Sequence, residues 1–108
     1  MERKSTTLIM IGIIFYKDKT IGKYQFQKII ENYEQLKIKI VKIRTSQNYD
    51  EVKFENGDFW QAVPLSSNTK GQRCNVAYVE WDITQEEIYT IIEPMLTLKP
   101  YTAIHIFY

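Results

Sequence analysis

The longest apolar run of the chain, residues 8–16, constrains its fold more than any other segment. It reads LIMIGIIFY, without polar alternation and rich in β-branched residues, which is typical of a strand covered on both faces. Nine residues are too few to cross a bilayer. The charged residues Lys17, Asp18 and Lys19 then end the run, with no small-residue cleavage site of the kind that follows a secretory signal. We therefore predict a central, buried strand.

The charge balance and the single cysteine narrow the class of protein. The 108 residues carry 14 Lys and Arg against 13 Asp and Glu, a formal charge of +1, so any charged surface that binds a partner must be local. One cysteine, Cys74, excludes an internal disulfide and a cysteine-based zinc site, and it suits a reducing cytoplasm. We predict one cytoplasmic domain spanning residues 1–108, with no cofactor, no metal and no membrane association.

The segments after the apolar run predict a strand, a helix and a second strand. Apolar residues recur at three- and four-residue spacing over residues 21–36, which indicates an amphipathic helix. Residues 38–44 then alternate apolar and basic side chains, as a strand does. A right-handed crossover would set this second strand parallel to the first.

A β-hairpin is predicted around Asn56 and Gly57, the dipeptide most typical of a two-residue turn with positive φ at both positions. Such a turn pairs Phe54 with Phe59. In that register the apolar residues that share one face are Val52, Phe54, Phe59 and Val63. Trp60 is then expected on the opposite face, together with Ala62, either under a helix or exposed.

The C-terminal part completes the predicted fold. Residues 76–79 form a short apolar strand, and Thr84 and Glu87 form a capping box that begins a second amphipathic helix. Pro94 should bend or end that helix, and residues 101–108 predict a last strand. The expected class is a single α/β domain with a mixed sheet of about six strands, a β-hairpin and two amphipathic helices.

A candidate binding surface lies around the strand at residues 76–79, which ends in acidic residues and follows a polar loop at residues 66–73. Nucleotide hydrolases use this pattern to place a carboxylate at the carboxyl edge of a strand. The competing interpretation is that acids commonly end strands and that polar loops commonly connect them. The residues predicted to contact a binding partner at this surface are Lys70, Arg73, Glu80 and Asp82.

The order of three motifs, VKFENGD at 52–58, KGQRCN at 70–75 and VAYVE at 76–80, resembles the ATPase core of the large terminase subunits of tailed bacteriophages. The resemblance covers about residues 52–83 and implies a degenerate P-loop-type domain of phage origin. Lys19 and Thr20 match the end of a phosphate-binding loop, but Asp18 replaces its glycine. Trp81 stands where the resemblance implies a catalytic glutamate. We therefore expect no ATP hydrolysis and no catalytic residues.

Two functions follow as expectations. The first is a non-catalytic, phage-type protein that binds a protein partner of the phage or of its bacterial host, in DNA packaging or as an inhibitor of a host system. The alternative is an accessory protein that binds nucleic acid through a basic stripe together with Lys70 and Arg73. The stripe consists of Lys37, Lys39, Lys42 and Arg44. The same stripe also fits a solvated edge strand protected by lysines. Homo-oligomerisation is left open.

Overall fold

A six-stranded mixed sheet forms the middle layer of the protein. The structure, a computed structural model, describes residues 9–66, 73–98 and 102–108. The strands are β1 (Ile11–Tyr16), β2 (Ile40–Thr45), β3 (Asp50–Phe54), β4 (Phe59–Pro64), β5 (Val76–Glu80) and β6 (Ala103–Phe107). Their order across the sheet is β2-β3-β4-β1-β5-β6. The predicted α/β class, with a mixed six-stranded sheet and a hairpin, is confirmed.

Strand β1 occupies the centre of the sheet, as its apolar run predicts. It pairs in parallel with β4 on one side and with β5 on the other. Ile13, Ile14 and Phe15 are fully buried, because successive side chains enter the cores on the two sides of the sheet. The part of the predicted strand before residue 9 lies outside the described residues.

Helix α1 (Lys19–Gln35) lies on one side of the sheet. It begins at Asp18, whose carboxylate accepts the amides of Thr20 and Ile21, a common N-cap arrangement. Its apolar stripe packs on β1, β3 and β4. The helix starts two residues before the predicted residue 21, because its first turn is polar and therefore lies outside the pattern of apolar residues that predicts the helix. Lys37 follows the helix with φ +62, the left-handed conformation that commonly ends a helix.

The second helical region begins at the predicted capping box, in which the Glu87 amide donates to Thr84 Oγ1 and the Thr84 amide donates to the Glu87 carboxylate. It comprises α2 (Gln85–Glu87), a π-helical turn (Ile88–Ile92) and a 3-10 turn (Glu93–Met95). We refer to it as the helical segment 85–95. Pro94 has no amide hydrogen and cannot continue a regular helix, which fits the irregular turns around it. Of the described helices, none is long and apolar enough to cross a membrane.

The predicted hairpin is confirmed, but its predicted turn is wrong. The amide of Gly57 donates to the Phe54 carbonyl and the amide of Phe54 donates to the Asp58 carbonyl, so the loop has three residues. Among the described residues positive φ is confined to Lys37 and Gly57, and Asn56 does not adopt it. Asn56 instead accepts the Asp58 amide through its side chain. A type I turn followed by a left-handed glycine is the usual three-residue hairpin.

The longer loop shifts the register by one residue. Val52 lies opposite Trp60, and Lys53 lies opposite Phe59. The predicted grouping of Phe59 and Val63 with Val52 is therefore wrong, because a one-residue shift moves side chains to the other side of the sheet. Trp60 is buried on the α1 side, which confirms the interpretation that placed it under a helix.

Strand β2 runs in the same direction as β1, as predicted, but β3 and β4 lie between the two strands. It forms the edge of the sheet and pairs antiparallel with β3 alone among the described strands, with a bulge between Ile40 and Lys42. The chain returns from this edge through β3 and β4 to the centre. The direction of β2 follows the crossover rule. Its neighbour in the sheet is β3, the next strand along the chain, because the two strands pair antiparallel.

Two buried clusters hold the layers together. The first lies between α1 and the sheet. The second lies between the helical segment 85–95 and the other side of the sheet, and its buried strand residues come from β1 and β5. The helical segment therefore covers the β1–β5 half of its side, and no described helix covers the same side of β2 and β3.

Candidate functional site

The carboxyl edge of β5 contains Glu80, which the sequence singled out. Its carboxylate is buried and accepts the amides of Lys17 and Asp18, at 2.8 and 2.9 Å. These amides belong to the turn between β1 and α1. Lys19 and Thr20 are exposed in the first turn of α1, where Asp18 already accepts the Thr20 amide at 2.9 Å. The protein's own carboxylates thus engage backbone donors that a phosphate-binding loop would direct to phosphate.

Of the four predicted binding residues, the three that the structure describes do not form one surface. Asp82 is exposed in the turn after β5, close in sequence to Glu80. Arg73 precedes β5 at the opposite edge of the sheet, where its Nε donates to Thr97 Oγ1 at 3.0 Å. The chain enters β5 just after Arg73 and leaves it at Glu80, so the length of this strand separates the two side chains. Lys70 lies outside the described residues.

Among the residues that the structure describes, Cys74 and His105 do not assemble with other reactive side chains into a site. Cys74 is fully buried, and burial raises the pKa of its thiol to about 11, which keeps it protonated and unreactive near neutral pH. His105 is exposed on β6, with its ring 5.0 Å from that of Tyr78. Within the described ranges no three His, Cys, Asp or Glu side chains are placed to hold a metal ion.

Buried polar residues fasten α1 to the hairpin, and the sequence did not reveal them. The Asp58 carboxylate accepts the Tyr33 hydroxyl at 2.6 Å and the Met10 amide at 2.9 Å, while Trp60 Nε1 donates to the Tyr33 oxygen at 3.0 Å. Burial, reinforced by the bond to Asp58, raises the pKa of Tyr33 well above its ordinary value. This network fixes the helix relative to β4.

A second anchor lies where β3 begins. Lys23 Nζ on α1 lies 2.8 Å from the buried carboxylate of Asp50 and donates to the Ser46 carbonyl at 2.6 Å. The two anchors hold α1 over β3 and β4. The helix does not extend over the outermost strand, β2, to the same degree.

The side of β2, β3 and β4 that faces away from α1 carries exposed charged side chains of β2 and β3; we call it the open side. Lys42 pairs with Lys53 across β2 and β3, and Arg44 pairs with Glu51. Glu51 accepts the Tyr49 hydroxyl at 2.5 Å and lies 4.0 Å from Lys42 Nζ. A cavity of about 490 Å³ lies here, lined by Ile11, Lys42, Glu51, Lys53, Gly57 and Phe59. Three cations and one carboxylate therefore share this surface.

The predicted basic stripe is divided by the fold. Lys42 and Arg44 lie on the open side, whereas Lys37 follows α1 and Lys39 precedes β2. The amide of Lys39 donates to the Glu55 carboxylate. Lys53 joins the stripe from β3, and sequence reasoning missed it. Lys53 lies beside Lys42 because β2 pairs with β3, a pairing that the sequence did not predict.

The outer edge of β2 is the most exposed part of the sheet. All six of its residues are exposed, including Ile40 (38%), Val41 (63%) and Ile43 (48%). Ile40 pairs with Phe54 and Ile43 with Val52, so both isoleucines lie on the α1 side. No described strand pairs with this edge.

Two cavities follow β2 on the α1 side, and we call them together the β2 groove. One, of about 380 Å³, includes Phe26, Ile30 and Ile43 in its lining, with Lys23 and Asp50 at the polar end. The other, of about 320 Å³, is lined by Glu34, Lys37, Ile38, Lys39 and Ile40. The edge strand thus has an apolar side along the groove and a basic side opposite.

Comparison with known proteins found no relative: no family model, no curated protein and no solved structure matches the chain. The geometry of the open side and of the β2 edge therefore carries the functional argument.

Proposed function

We propose that this protein is a non-catalytic protein-binding module, and that it accepts a strand of its partner at the outer edge of β2. The observation that carries the proposal is an edge strand with every residue exposed and three β-branched aliphatic side chains among them. An edge strand presents a row of unpaired N–H and C=O groups. An extended segment of another protein can pair with those groups and gain specificity from alternate side chains.

The edge is only partly protected against such pairing. Proteins protect exposed edges with bulges and with lysines, and β2 has both a bulge near Val41 and the cations Lys42 and Arg44. Those cations lie on the open side, however, whereas Ile40 and Ile43 remain exposed beside the β2 groove. Only the open side of β2 carries protecting cations. This one-sided protection favours pairing with a specific partner strand over a design that prevents all strand pairing.

The carboxyl edge of β5 supports the non-catalytic part of the proposal. Glu80 and Asp18 already accept the backbone amides at the turn between β1 and α1. Within this proposal, the resemblance to terminase ATPases predicts a partner from the packaging machinery of a phage or from its bacterial host.

Site-specific photo-cross-linking tests the proposed edge. A photoreactive amino acid at Val41 is compared with the same group at Tyr24 on α1, a matched control with nearly equal exposure, 63% against 64%. In bacterial cells that produce the protein, we expect a discrete protein adduct from position 41 and none from position 24. Ile43→Glu should remove that adduct while the protein stays folded. Equal adducts at the two positions, or an adduct that nuclease removes, would contradict the proposal.

Binding of nucleic acid by the open side is a second candidate function. Lys42 and Lys53 line the 490 Å³ cavity, and Arg44 lies on the same side of β2 opposite Glu51, a geometry suited to contacts with several phosphates. Three such contacts on a single strand predict a decrease of log K with log salt of slope about −2. Retention of single-stranded DNA with that slope, weakened by Lys53→Glu, would favour this function. No retention at low salt would eliminate it.

A further inference from the structure

We infer that the partner strand alternates apolar and acidic residues, with its apolar side chains in the β2 groove and its acidic ones beside Lys42 and Arg44. This inference rests on the proposed function, because it describes the chemistry of a strand added at β2. It goes further by naming the class of partner sequence. Its basis is the opposite character of the two sides of one edge strand.

The α1 side of β2 requires apolar side chains from an added strand. Such a strand lies about 4.8 Å beyond β2, and every second side chain points to the α1 side. There it meets Ile40 and Ile43, which pair with the buried residues Phe54 and Val52. The two cavities of the groove lie at successive places along β2. Apolar residues at alternate positions would cover surface that is now exposed to water, which is favourable.

The open side of β2 requires acidic side chains at the intervening positions. Lys42 and Arg44 are both exposed there, and Lys53 adds a third cation one strand further in. The carboxylate that the structure describes beside them, Glu51, already accepts the Tyr49 hydroxyl and lies 4.0 Å from Lys42. Opposite charges directly across two strands are favourable, whereas like charges there are unfavourable.

A second copy of this chain does not provide such a strand. When two β2 strands pair antiparallel and continue the sheet, residues directly opposite each other lie on the same side. Registers centred on Lys42, Ile43 or Arg44 set Lys42 or Arg44 of one copy opposite Lys42 or Arg44 of the other. The register that sets Ile40 opposite Ile43 sets Arg44 opposite Lys39. Each of these arrangements opposes like charges and is destabilising. The partner is therefore a different chain.

Three synthetic peptides test the inference by separating strand addition from charge. The first alternates glutamate with valine and isoleucine, the second has lysine in place of each glutamate, and the third is the acidic peptide N-methylated at every second amide, prepared in both phases. Amide chemical shifts of the protein report where each peptide binds, and titration gives its affinity. We expect the acidic peptide to shift β2 resonances and to bind about tenfold more tightly than the basic one. Methylation of the alternate amides that face β2 should abolish binding, whereas methylation of the other set should not.

Charge-reversed variants connect the preference to particular residues. We expect Lys42→Glu and Arg44→Glu each to weaken binding of the acidic peptide by about fivefold, the ratio that corresponds to 1 kcal/mol, and to strengthen binding of the basic one. Lys28→Glu, an exposed charge reversal on α1, is the matched control and should leave both affinities unchanged.

The outcomes distinguish this inference from the proposed function. Equal binding of acidic and basic peptides at β2, with loss on N-methylation, would overturn the acidic partner and leave strand addition standing. Absence of β2 shifts with every peptide would overturn both. Concentration-dependent dimerisation that shifts β2 would assign the edge to a second copy. Binding of single-stranded DNA with no peptide binding would assign the cations to nucleic acid.

Discussion

The two halves of the sheet are built differently. Five of the six residues of β1 and four of the five of β5 are buried, with α1 on one side and the helical segment 85–95 on the other. In β2 all six residues are exposed, and β3 buries only alternate residues. The sequence pattern follows this difference, because β1 is continuously apolar whereas β2 alternates apolar and basic residues. The half with β1 and β5 contains most of the buried core, whereas the half with β2 and β3 has side chains exposed to solvent.

Substitution of one isoleucine in each half should give the largest contrast. Ile13 in β1 is fully buried, and Ile43 in β2 is about half exposed. Ile13→Ala removes buried methyl groups and leaves a cavity, which should lower the free energy of unfolding by about 2–5 kcal/mol. Ile43→Ala should cost less than about 1 kcal/mol, since partly exposed side chains lose little burial. Chemical denaturation of both variants measures the contrast. Similar costs would show that β2 is covered in solution.

Removal of the Glu80 carboxylate should have the next largest effect. Glu80→Ala leaves the amides of Lys17 and Asp18 without their acceptor, at a cost of about 2 kcal/mol. Glu80→Gln retains an acceptor oxygen and should cost less. Asp82→Ala, exposed two residues later, is the control and should leave the denaturation midpoint nearly unchanged. If Glu80→Ala were neutral, the turn between β1 and α1 would not depend on this carboxylate, and the argument against phosphate binding there would be lost.

The covered half was predictable from the sequence because its signals are local. Continuous apolar character places β1 at the centre, and a capping box sets the start of the helical segment. The contacts of Glu80 were not predictable, since they join residues more than 60 positions apart. A pattern of apolar residues shows that a strand ends in an acid, but it does not show which amides that acid meets.

The open half was predicted less well because its register rests on one turn. Asn-Gly is compatible with a two-residue turn and with the three-residue loop that the structure contains. The predicted two-residue turn also groups apolar residues on one face of the hairpin, so the hydrophobic pattern does not reveal that the predicted register is wrong. Asp58 favours the longer loop, because its carboxylate accepts Tyr33 and Met10. Lys53 joins the basic surface through the pairing of β2 with β3, which this turn does not determine.

A substitution at Gly57 tests the corrected turn. Gly57 has φ +99, and a Cβ there would lie 3.3 Å from Ile9 Cδ1. Gly57→Val should therefore cost about 1 kcal/mol or more, since β-branched residues rarely adopt positive φ. Gly57→Asn should cost less, because asparagine tolerates that region better. Denaturation midpoints of the two variants provide the comparison. Equal costs would remove the backbone argument for the three-residue loop.

The smallest effect on stability is expected from the cations of the open side, and that small effect is informative. Lys42 is largely exposed and lies 4.0 Å from Glu51, so Lys42→Ala should change the free energy of unfolding by less than about 0.5 kcal/mol. Lys23→Ala is the contrasting variant, because it deprives the buried carboxylate of Asp50 of its cation and should cost at least about 1 kcal/mol more. Denaturation of both variants, with titration of the acidic peptide into the Lys42 variant, completes the test. A stable variant with weakened peptide binding would show that Lys42 serves recognition, whereas a large loss of stability would make it a structural residue of the sheet.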